Sequence, residues 1–228
     1  MPEKELQAGS LRILYDPSEL DVVSPEWLDP GFWRIRKAVL AEFGGRGQAL
    51  AVDTQAGPAV LRRYLRGGMI ARLSRDRYCF TGFQRSRSFR EFRVLASLHQ
   101  IGLPVPQPLL AGCERLGPTC RAAILTRLLE NTISLPQAAD ILEPFHWRRL
   151  GKTLGRFFRA GVVHPDLNAH NLLIDGAGHW YVIDFDRARI EDGPVDPKPM
   201  LKRLERSLDK LGIDGDRRLL RKTAIQVD

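Results

Sequence analysis

The stretch HPDLNAHN, residues 164–171, places an aspartate and an asparagine five positions apart, and a second aspartate, Asp184, lies near the end of WYVIDF. The runs NLLI and WYVIDF, joined by a turn at residues 175–178, predict a β-hairpin that brings the neighbourhoods of Asn171 and Asp184 together. An amide oxygen and a carboxylate oxygen suit a magnesium ion that also holds phosphate oxygens. Asp166 then remains available to accept a proton from an attacking hydroxyl group.

The pattern H-x-D-x-x-x-x-N followed by D-F matches the catalytic and metal-binding motifs of protein-kinase-like phosphotransferases. Taken one at a time, the same residues could simply cap a loop or form a turn. Their order and the elements between them favour the catalytic interpretation. His164 is expected to hold the loop together. A zinc site with His170 is not expected, because no third histidine or cysteine stands at a recognisable spacing.

A phosphotransferase also needs groups that hold the phosphates of its nucleotide, and the first half of the chain offers two candidates. The first is a glycine turn before an apolar strand, formed by Gly44, Gly45 and Gly47, although the third glycine of G-x-G-x-x-G is missing. The second is Arg62, on the strand AVLRRY where kinases carry a lysine, paired with Glu91 of the next helix. Arg63 is the alternative to Arg62, since the fork of either arginine could clamp phosphate oxygens.

Length and composition are those of a globular protein of 228 residues, with room for one large domain or two small lobes. No apolar run is long enough to span a bilayer, and the start MPEKELQAGS lacks the core of a signal peptide. The chain is therefore expected to stay in the cytoplasm. The three cysteines lack metal-type spacing and are expected to be reduced.

The basic charge is concentrated in one segment. Positions 62 to 93 hold ten arginines and only two acidic residues, which accounts for the whole net charge of +8. Such a segment indicates an anionic partner, either nucleic acid, a membrane surface or a phosphorylated substrate, or else a solvated arginine-rich face. Apolar residues interleave with the arginines, as in an interfacial contact or in a core: Met69, Ile70, Tyr78, Phe80 and Phe83.

Periodicity predicts an α+β protein with two lobes joined near residues 127–131. A helix is predicted from Ser24-Pro25 to about Phe43, followed by a glycine turn and a β-hairpin, and by a second helix from Ser86 to about Gln100. The run RAAILTRLL predicts a buried strand. The second half is predicted to be helix-rich with a single hairpin, and its first helix carries an apolar stripe, Leu150, Leu154, Phe157 and Phe158. A charged helical stretch is expected from about Pro199 to Lys222. We assign residues 1–127 to the N-lobe and 128–228 to the C-lobe.

Over roughly residues 40 to 210, the chain resembles the lipopolysaccharide kinase family, in its members that phosphorylate 3-deoxy-D-manno-octulosonic acid (Kdo). The resemblance rests on the stretches VLRRYLRGG, EFRVLASLHQIGLPVPQPL, ILTRLLEN, and GVVHPDLNAHNLLID followed by WYVIDFDRAR. It implies a two-lobed protein-kinase-like fold with a β-rich N-lobe and a small helical C-lobe. It also implies ATP- and Mg²⁺-dependent phosphorylation of the 4-hydroxyl of a Kdo residue on the lipid A precursor in lipopolysaccharide core biosynthesis. Such a protein is peripheral, on the cytoplasmic side of the inner membrane.

The resemblance assigns a role to each motif residue. It implies Asp166 as the catalytic base, Asn171 and Asp184 as magnesium ligands, and Arg62 as a phosphate clamp supported by Glu91. Departures from the general kinase pattern are Asp186 in place of the glycine of D-F-G and the lack of an A-P-E motif. These departures argue against phosphorylation-controlled switching and against protein substrates.

The partners implied are a Kdo-lipid A precursor and an anionic membrane surface, with no nucleic acid. Three alternatives stay open. The chain could phosphorylate another small hydroxyl acceptor, such as a heptose or an aminoglycoside. The missing lysine would suit a catalytically inactive kinase-fold adaptor, although an adaptor needs no metal-binding residues. A basic nucleic-acid-binding module would explain the charge but not HPDLNAHN.

Overall fold

A computed structural model describes residues 2–43, 49–64 and 78–226 of the chain. Two predicted features lie outside the described residues, namely the glycine turn and the middle of the arginine-rich segment. The residues concerned are Gly44, Gly45 and Gly47 of the turn, and Arg66, Arg72, Arg75 and Arg77 of the segment. Within the described residues the protein is a mixed α+β structure, as predicted.

The chain forms two compact units, Met1–Ser97 with Gln107–Leu128, and Leu98–Pro106 with Leu129–Asp228. The lobe boundary predicted after residue 127 stays a prediction. Leu128 groups with the first unit, and the segment Leu98–Pro106 groups with the second. That segment joins the second unit through hydrogen bonds. The Val182 N–H donates a hydrogen bond to the Pro104 carbonyl at 3.0 Å, and the Arg156 guanidinium donates one to the Gly102 carbonyl at 2.7 Å.

The first unit is built on an antiparallel sheet, which has eight strands within the described residues. The strands are β1 (Lys4–Ala8), β2 (Leu11–Tyr15), β3 (Val39–Phe43), β4 (Ala49–Thr54), β5 (Gly57–Arg63), β6 (Tyr78–Cys79), β7 (Pro108–Leu116) and β8 (Thr119–Arg127). Their order is β1-β2-β7-β8-β5-β4-β3, with β6 also paired to β8. The predicted hairpin is confirmed as β4 and β5. Thr54 stabilises its turn, where the hydroxyl donates to the Gly57 carbonyl at 2.7 Å.

The predicted helix from Ser24 to Phe43 is wrong in its second half. A 3₁₀ turn at Pro25–Leu28 is followed by the short helix α1 (Pro30–Ile35), in which the Asp29 carboxylate caps the Gly31 N–H. Lys37 then adopts a left-handed backbone conformation, and the chain continues as β3, which pairs with β4. A strand partner outside the local sequence therefore overrides the helical tendency of VLAEF.

The helix α2 (Arg87–Gln100) confirms the second predicted helix of the chain. All four apolar positions of its predicted stripe are buried, Phe89, Phe92, Leu95 and Leu98. The core of the first unit includes Trp27 and Trp33, and the Trp33 indole N–H donates to the Trp27 carbonyl at 2.8 Å. This pairing satisfies a polar atom that burial would otherwise penalise.

The second unit is mainly helical. Its elements are β9 (Thr132–Ser134), α3 (Leu135–Ala138), α4 (Pro144–Arg159), β10 (Val162–Val163), β11 (Leu172–Asp175), β12 (Trp180–Val182), β13 (Arg189–Ile190), α5 (Lys198–Leu211) and α6 (Arg217–Ile225). The predicted stripe of α4 is buried. The predicted charged helix is divided into α5 and α6, because Gly212 ends α5 in a left-handed conformation. Strands β11 and β12 form the predicted hairpin, and β9 pairs with the other edge of β11.

The chain after β12 returns to the residues that directly precede the loop of residues 164–171. Strand β13 pairs with β10, the Glu191 N–H donates to the Gly161 carbonyl at 2.8 Å, and the Val195 N–H donates to the Phe158 carbonyl at 3.0 Å. At Gly161 the backbones are so close that an added Cβ would lie 2.1 Å from the Glu191 carbonyl oxygen. The pairing of β10 with β13 therefore links the chain just before residue 164 to the chain a few residues after Asp184. In the part of the chain that the structure describes, no helix has the length and apolarity to cross a bilayer.

Candidate active site

The loop of residues 164–171 is organised around one backbone carbonyl. The side-chain amides of Asn168 and Asn171 both donate to the Asp166 carbonyl oxygen, at 2.9 and 3.0 Å. A backbone turn adds the Leu167 N–H to the His164 carbonyl at 3.2 Å. These bonds fix the backbone of Asp166, while its side chain remains 45% exposed. Asp166 is therefore held in place and its carboxylate is accessible to a substrate.

The orientation of the Asn171 amide follows from its hydrogen bond. Because a carbonyl oxygen can only accept, the atom that meets the Asp166 carbonyl must be the Asn171 nitrogen. The side-chain oxygen of this largely buried residue is then on the other side of the amide group and can serve as a ligand.

The register of the hairpin brings Asn171 towards Asp184. Leu172 pairs with Val182, and the Ile183 N–H donates to the Asn171 carbonyl at 3.0 Å, so that Asp184 directly follows the residue opposite Asn171. This arrangement confirms the predicted proximity of the two neighbourhoods. Asp184 also has a φ of 65°, a left-handed conformation that costs energy for a residue with a side chain. Strain of this kind is concentrated at functional sites in proteins.

His164 joins the loop to the hairpin, in agreement with the structural role expected for it. Its Nε2 lies 3.2 Å from the Ile183 carbonyl oxygen, and its ring meets the Phe185 ring edge-on at 4.9 Å. The carbonyl can only accept, so Nε2 carries the hydrogen. Burial lowers the pKa of the His164 imidazole, against weaker opposing effects of the Ile183 carbonyl and of nearby carboxylates. His164 is therefore a neutral, buried connector.

Arg203 is a residue of this site that sequence reasoning missed. Its guanidinium donates to Oδ1 of Asp166, and both side chains are 45% exposed. Two neighbours on the same face of α5 also contact the loop. Met200 Sδ accepts the His164 N–H at 3.3 Å, and the Ser207 hydroxyl accepts the Ala169 N–H at 3.1 Å. The spacing 200, 203, 207 is that of one helix face, but nothing in the sequence indicates that this face meets the loop.

In the first unit, the predicted pair of Arg62 and Glu91 is present. The Arg62 guanidinium, on β5, donates to both carboxylate oxygens of Glu91, on α2. The Tyr64 hydroxyl donates to the same carboxylate, and the Arg62 guanidinium lies 4.8 Å from the centre of the Tyr64 ring. Glu91 is almost fully buried, whereas Arg62 is partly exposed. The arginine thus has a defined orientation and keeps some access to solvent, while its role as a phosphate clamp stays a prediction.

Several described arginines of the basic segment have partners within the first unit. Arg93 forms an ion pair with Glu3, and the Arg87 guanidinium lies over the rings of Tyr64 and Tyr78. These contacts give part of the segment a structural role. Arg85 and Arg90 of the same segment are exposed, and the contact of this segment with an anionic partner stays a prediction.

The donor set near the catalytic loop suits magnesium. Within residues 2–43, 49–64 and 78–226, no three histidine, cysteine, aspartate or glutamate side chains come together as a metal-binding group. Magnesium in phosphotransferases is held by only one or two protein ligands, and water and phosphate oxygens complete its coordination. One carboxylate, Asp184, and one oriented amide oxygen, from Asn171, fit that requirement.

A mixed α+β fold that carries this Asp-Asn-Asp arrangement on a loop and a hairpin has the features of a protein-kinase-like phosphotransferase. Residues 31–221 match the sequence profile of the Lipopolysaccharide kinase (Kdo/WaaP) family. The chain belongs to this family, and it is a phosphotransferase that acts on an alcohol group.

Curated relatives cover most of the chain. A 3-deoxy-D-manno-octulosonic acid kinase of Xanthomonas oryzae pv. oryzae is 46% identical over 201 residues, which is 87% of this chain and 80% of the relative. A protein of the same name from Stenotrophomonas maltophilia is 43% identical with the same coverage. Another from Xylella fastidiosa is 44% identical over 200 residues, 87% of this chain and 78% of the relative.

Proposed function

We propose that this protein transfers the γ-phosphoryl group of ATP to the 4-hydroxyl of a Kdo residue on the lipid A precursor, in lipopolysaccharide core biosynthesis. The observation that carries the proposal is the loop in which two asparagine amides fix the backbone of Asp166 and leave its carboxylate exposed. Family membership supplies the use of ATP, and the names of the relatives supply Kdo as the acceptor sugar.

Asp166 accepts the proton of the acceptor hydroxyl as that hydroxyl attacks the terminal phosphate. Asn171 and Asp184 are the residues that would hold a magnesium ion, which when bound neutralises charge on the phosphate oxygens. Arg62, oriented by Glu91, supplies the positive charge that a lysine supplies in protein kinases. The predicted glycine turn at Gly44, Gly45 and Gly47 would cover the nucleotide.

The acceptor is attached to lipid, so the protein is expected to work as a peripheral protein on the cytoplasmic side of the inner membrane. Basic side chains near an anionic surface contribute about 1 kcal/mol each. Binding to anionic vesicles that weakens with added salt would support this location, since salt screens exposed charges over about 8 to 10 Å. Equal binding to neutral vesicles would count against it.

The decisive experiment compares Asp166→Asn with the wild type, using ATP, magnesium and Kdo-bearing lipid A precursor. Loss of a positioned base is expected to slow transfer roughly 100- to 10,000-fold while ATP binding is retained. Asp214→Asn, an exposed aspartate between α5 and α6, is the matched control and should keep full activity. An Asp166→Asn variant with half the wild-type rate would show that the base is another group. Analysis of the phosphorylated product by mass spectrometry and NMR identifies the acceptor hydroxyl.

A further inference from the structure

Arg203 lies beside the exposed carboxylate of Asp166, in a position where it can contact a substrate as well as stabilise the loop of residues 164–171. We infer that Arg203 is the acceptor-recognition residue of this enzyme and binds the carboxylate of the sugar acid whose hydroxyl Asp166 activates. The inference rests on the proposed function, because it takes a sugar acid as the acceptor.

The location of Arg203 is fixed by the helix that carries it. Met200 and Ser207 anchor α5 to the loop on either side of Arg203, through bonds to the backbone N–H groups of His164 and Ala169. The guanidinium is therefore held where the acceptor hydroxyl must approach Asp166. A group so placed contacts whatever lies next to that hydroxyl on the acceptor.

The chemistry of the side chain suits a carboxylate. A guanidinium has several N–H donors in one plane and binds a carboxylate through two parallel hydrogen bonds. In the structure one terminal nitrogen of Arg203 donates to Oδ1 of Asp166, so the other N–H groups of the same fork can meet a second anion. Both side chains are nearly half exposed, so an acceptor in solution has access to them.

An octulosonic acid supplies that second anion. Its carboxylate and its ring hydroxyls belong to one sugar, so one hydroxyl can face Asp166 while the carboxylate faces Arg203. The pairing also offers specificity. A neutral sugar of similar shape would leave the remaining N–H groups of the guanidinium without a second anion and would lose a charge-assisted hydrogen bond.

The test compares two acceptors, Kdo-bearing lipid A precursor with its carboxyl group free and the same compound with that group methyl-esterified. For the wild type we expect kcat/KM to be about 10- to 100-fold higher with the free acid, the range of one charge-assisted hydrogen bond. In Arg203→Gln this preference should fall to nearly none, mainly through a higher KM for the acid. Arg203→Lys keeps the charge but loses the fork and should retain part of the preference.

Arg206→Gln is the matched control, because Arg206 is an exposed arginine one turn further along α5 whose Nε donates to the Lys202 carbonyl. It should keep the wild-type preference. A purely structural role of Arg203 predicts that Arg203→Gln slows both acceptors equally and leaves their ratio unchanged, which would overturn the inference. A wild type without preference for the acid, or loss of the preference in Arg206→Gln, would overturn it as well. If the wild type phosphorylates neither acceptor, the proposed function itself fails, and the inference with it.

Discussion

The pair of Arg62 and Glu91 gives a quantitative test of how the first unit is stabilised. The Glu91 side chain is only 3% exposed and that of Arg62 is 26% exposed. Arg62→Met would leave the buried carboxylate without its arginine, and breaking a buried ion pair costs about 3–5 kcal/mol. Because water reaches the arginine, we expect about 2–4 kcal/mol, which corresponds to a fall in Tm of roughly 5–15 °C for a protein of this size.

A double variant separates this buried charge from lost packing. In Arg62→Met with Glu91→Gln no charge is left buried, and the amide oxygen can still accept the Tyr64 hydroxyl. We therefore expect the double variant to be more stable than Arg62→Met alone. The exposed pair of Arg34 and Glu42 supplies the control, since Arg34→Met should cost no more than about 1 kcal/mol.

Urea unfolding gives these stabilities, and calorimetric titration of the folded variants gives their ATP affinities. Arg62→Met should bind ATP at least about 10-fold more weakly, the effect of losing one charge-assisted contact, and Arg62→Lys should recover part of the affinity. A stability of Arg62→Met equal to that of Arg34→Met would refute the reasoning on the buried pair. Unchanged ATP affinity in Arg62→Met would refute the phosphate-clamp role, whatever the stability.

Three further perturbations address the metal site, the helix packing and the thiols. Asp184→Ala should weaken magnesium-dependent ATP binding and transfer together, and an unchanged magnesium requirement in kinetic titrations would contradict its role as a ligand. Gly151→Ala puts a Cβ 1.9 Å from a side-chain oxygen of α6. Alanine normally favours a helix over glycine by about 1 kcal/mol, but this overlap should destabilise the protein by about 1–3 kcal/mol, as thermal unfolding can show. Gly176→Ala, in open space, is its near-neutral control. Burial raises the pKa of the Cys113 thiol to about 12, so at pH 8 an alkylating reagent should label exposed Cys79 and reach Cys113 only after unfolding, as mass spectrometry can show.

Sequence patterns predicted the elements whose burial is periodic. The stripes of α2 and α4 are apolar at helical spacing, and packing buries those positions. The opening hairpin of β1 and β2 could not be read in this way, because Ile13 and Leu14 are both buried and give no alternation. The strand Val39–Phe43 was predicted as a helix because its partner, β4, lies beyond a glycine-rich stretch whose pairing the local sequence does not specify.

The residues of the candidate site also differ in whether a local sequence pattern could predict them. The spacing of Asp166, Asn171 and Asp184 was informative because a short loop and one hairpin bring them together. Arg203 lies 37 residues after Asp166 on a helix rich in charged side chains, so no local pattern distinguishes it from its neighbours. Contacts that depend on how a distant helix packs need the folded structure.

The short connection after Asp184 bears on how the activity is controlled in the cell. In many kinases a long activation loop follows at this point, and phosphorylation changes it from a disordered to an ordered state. Here the β10–β13 pair and the contact at Gly161 tie the chain down within a few residues of Asp184. Because so few residues lie between Asp184 and β13, we expect no regulatory movement of this connection. The rate of phosphorylation in the cell should then be proportional to the number of enzyme copies and to the supply of acceptor. Control of this enzyme would then come from its own expression level and from the supply of acceptor, and not from movement of the connection that follows Asp184.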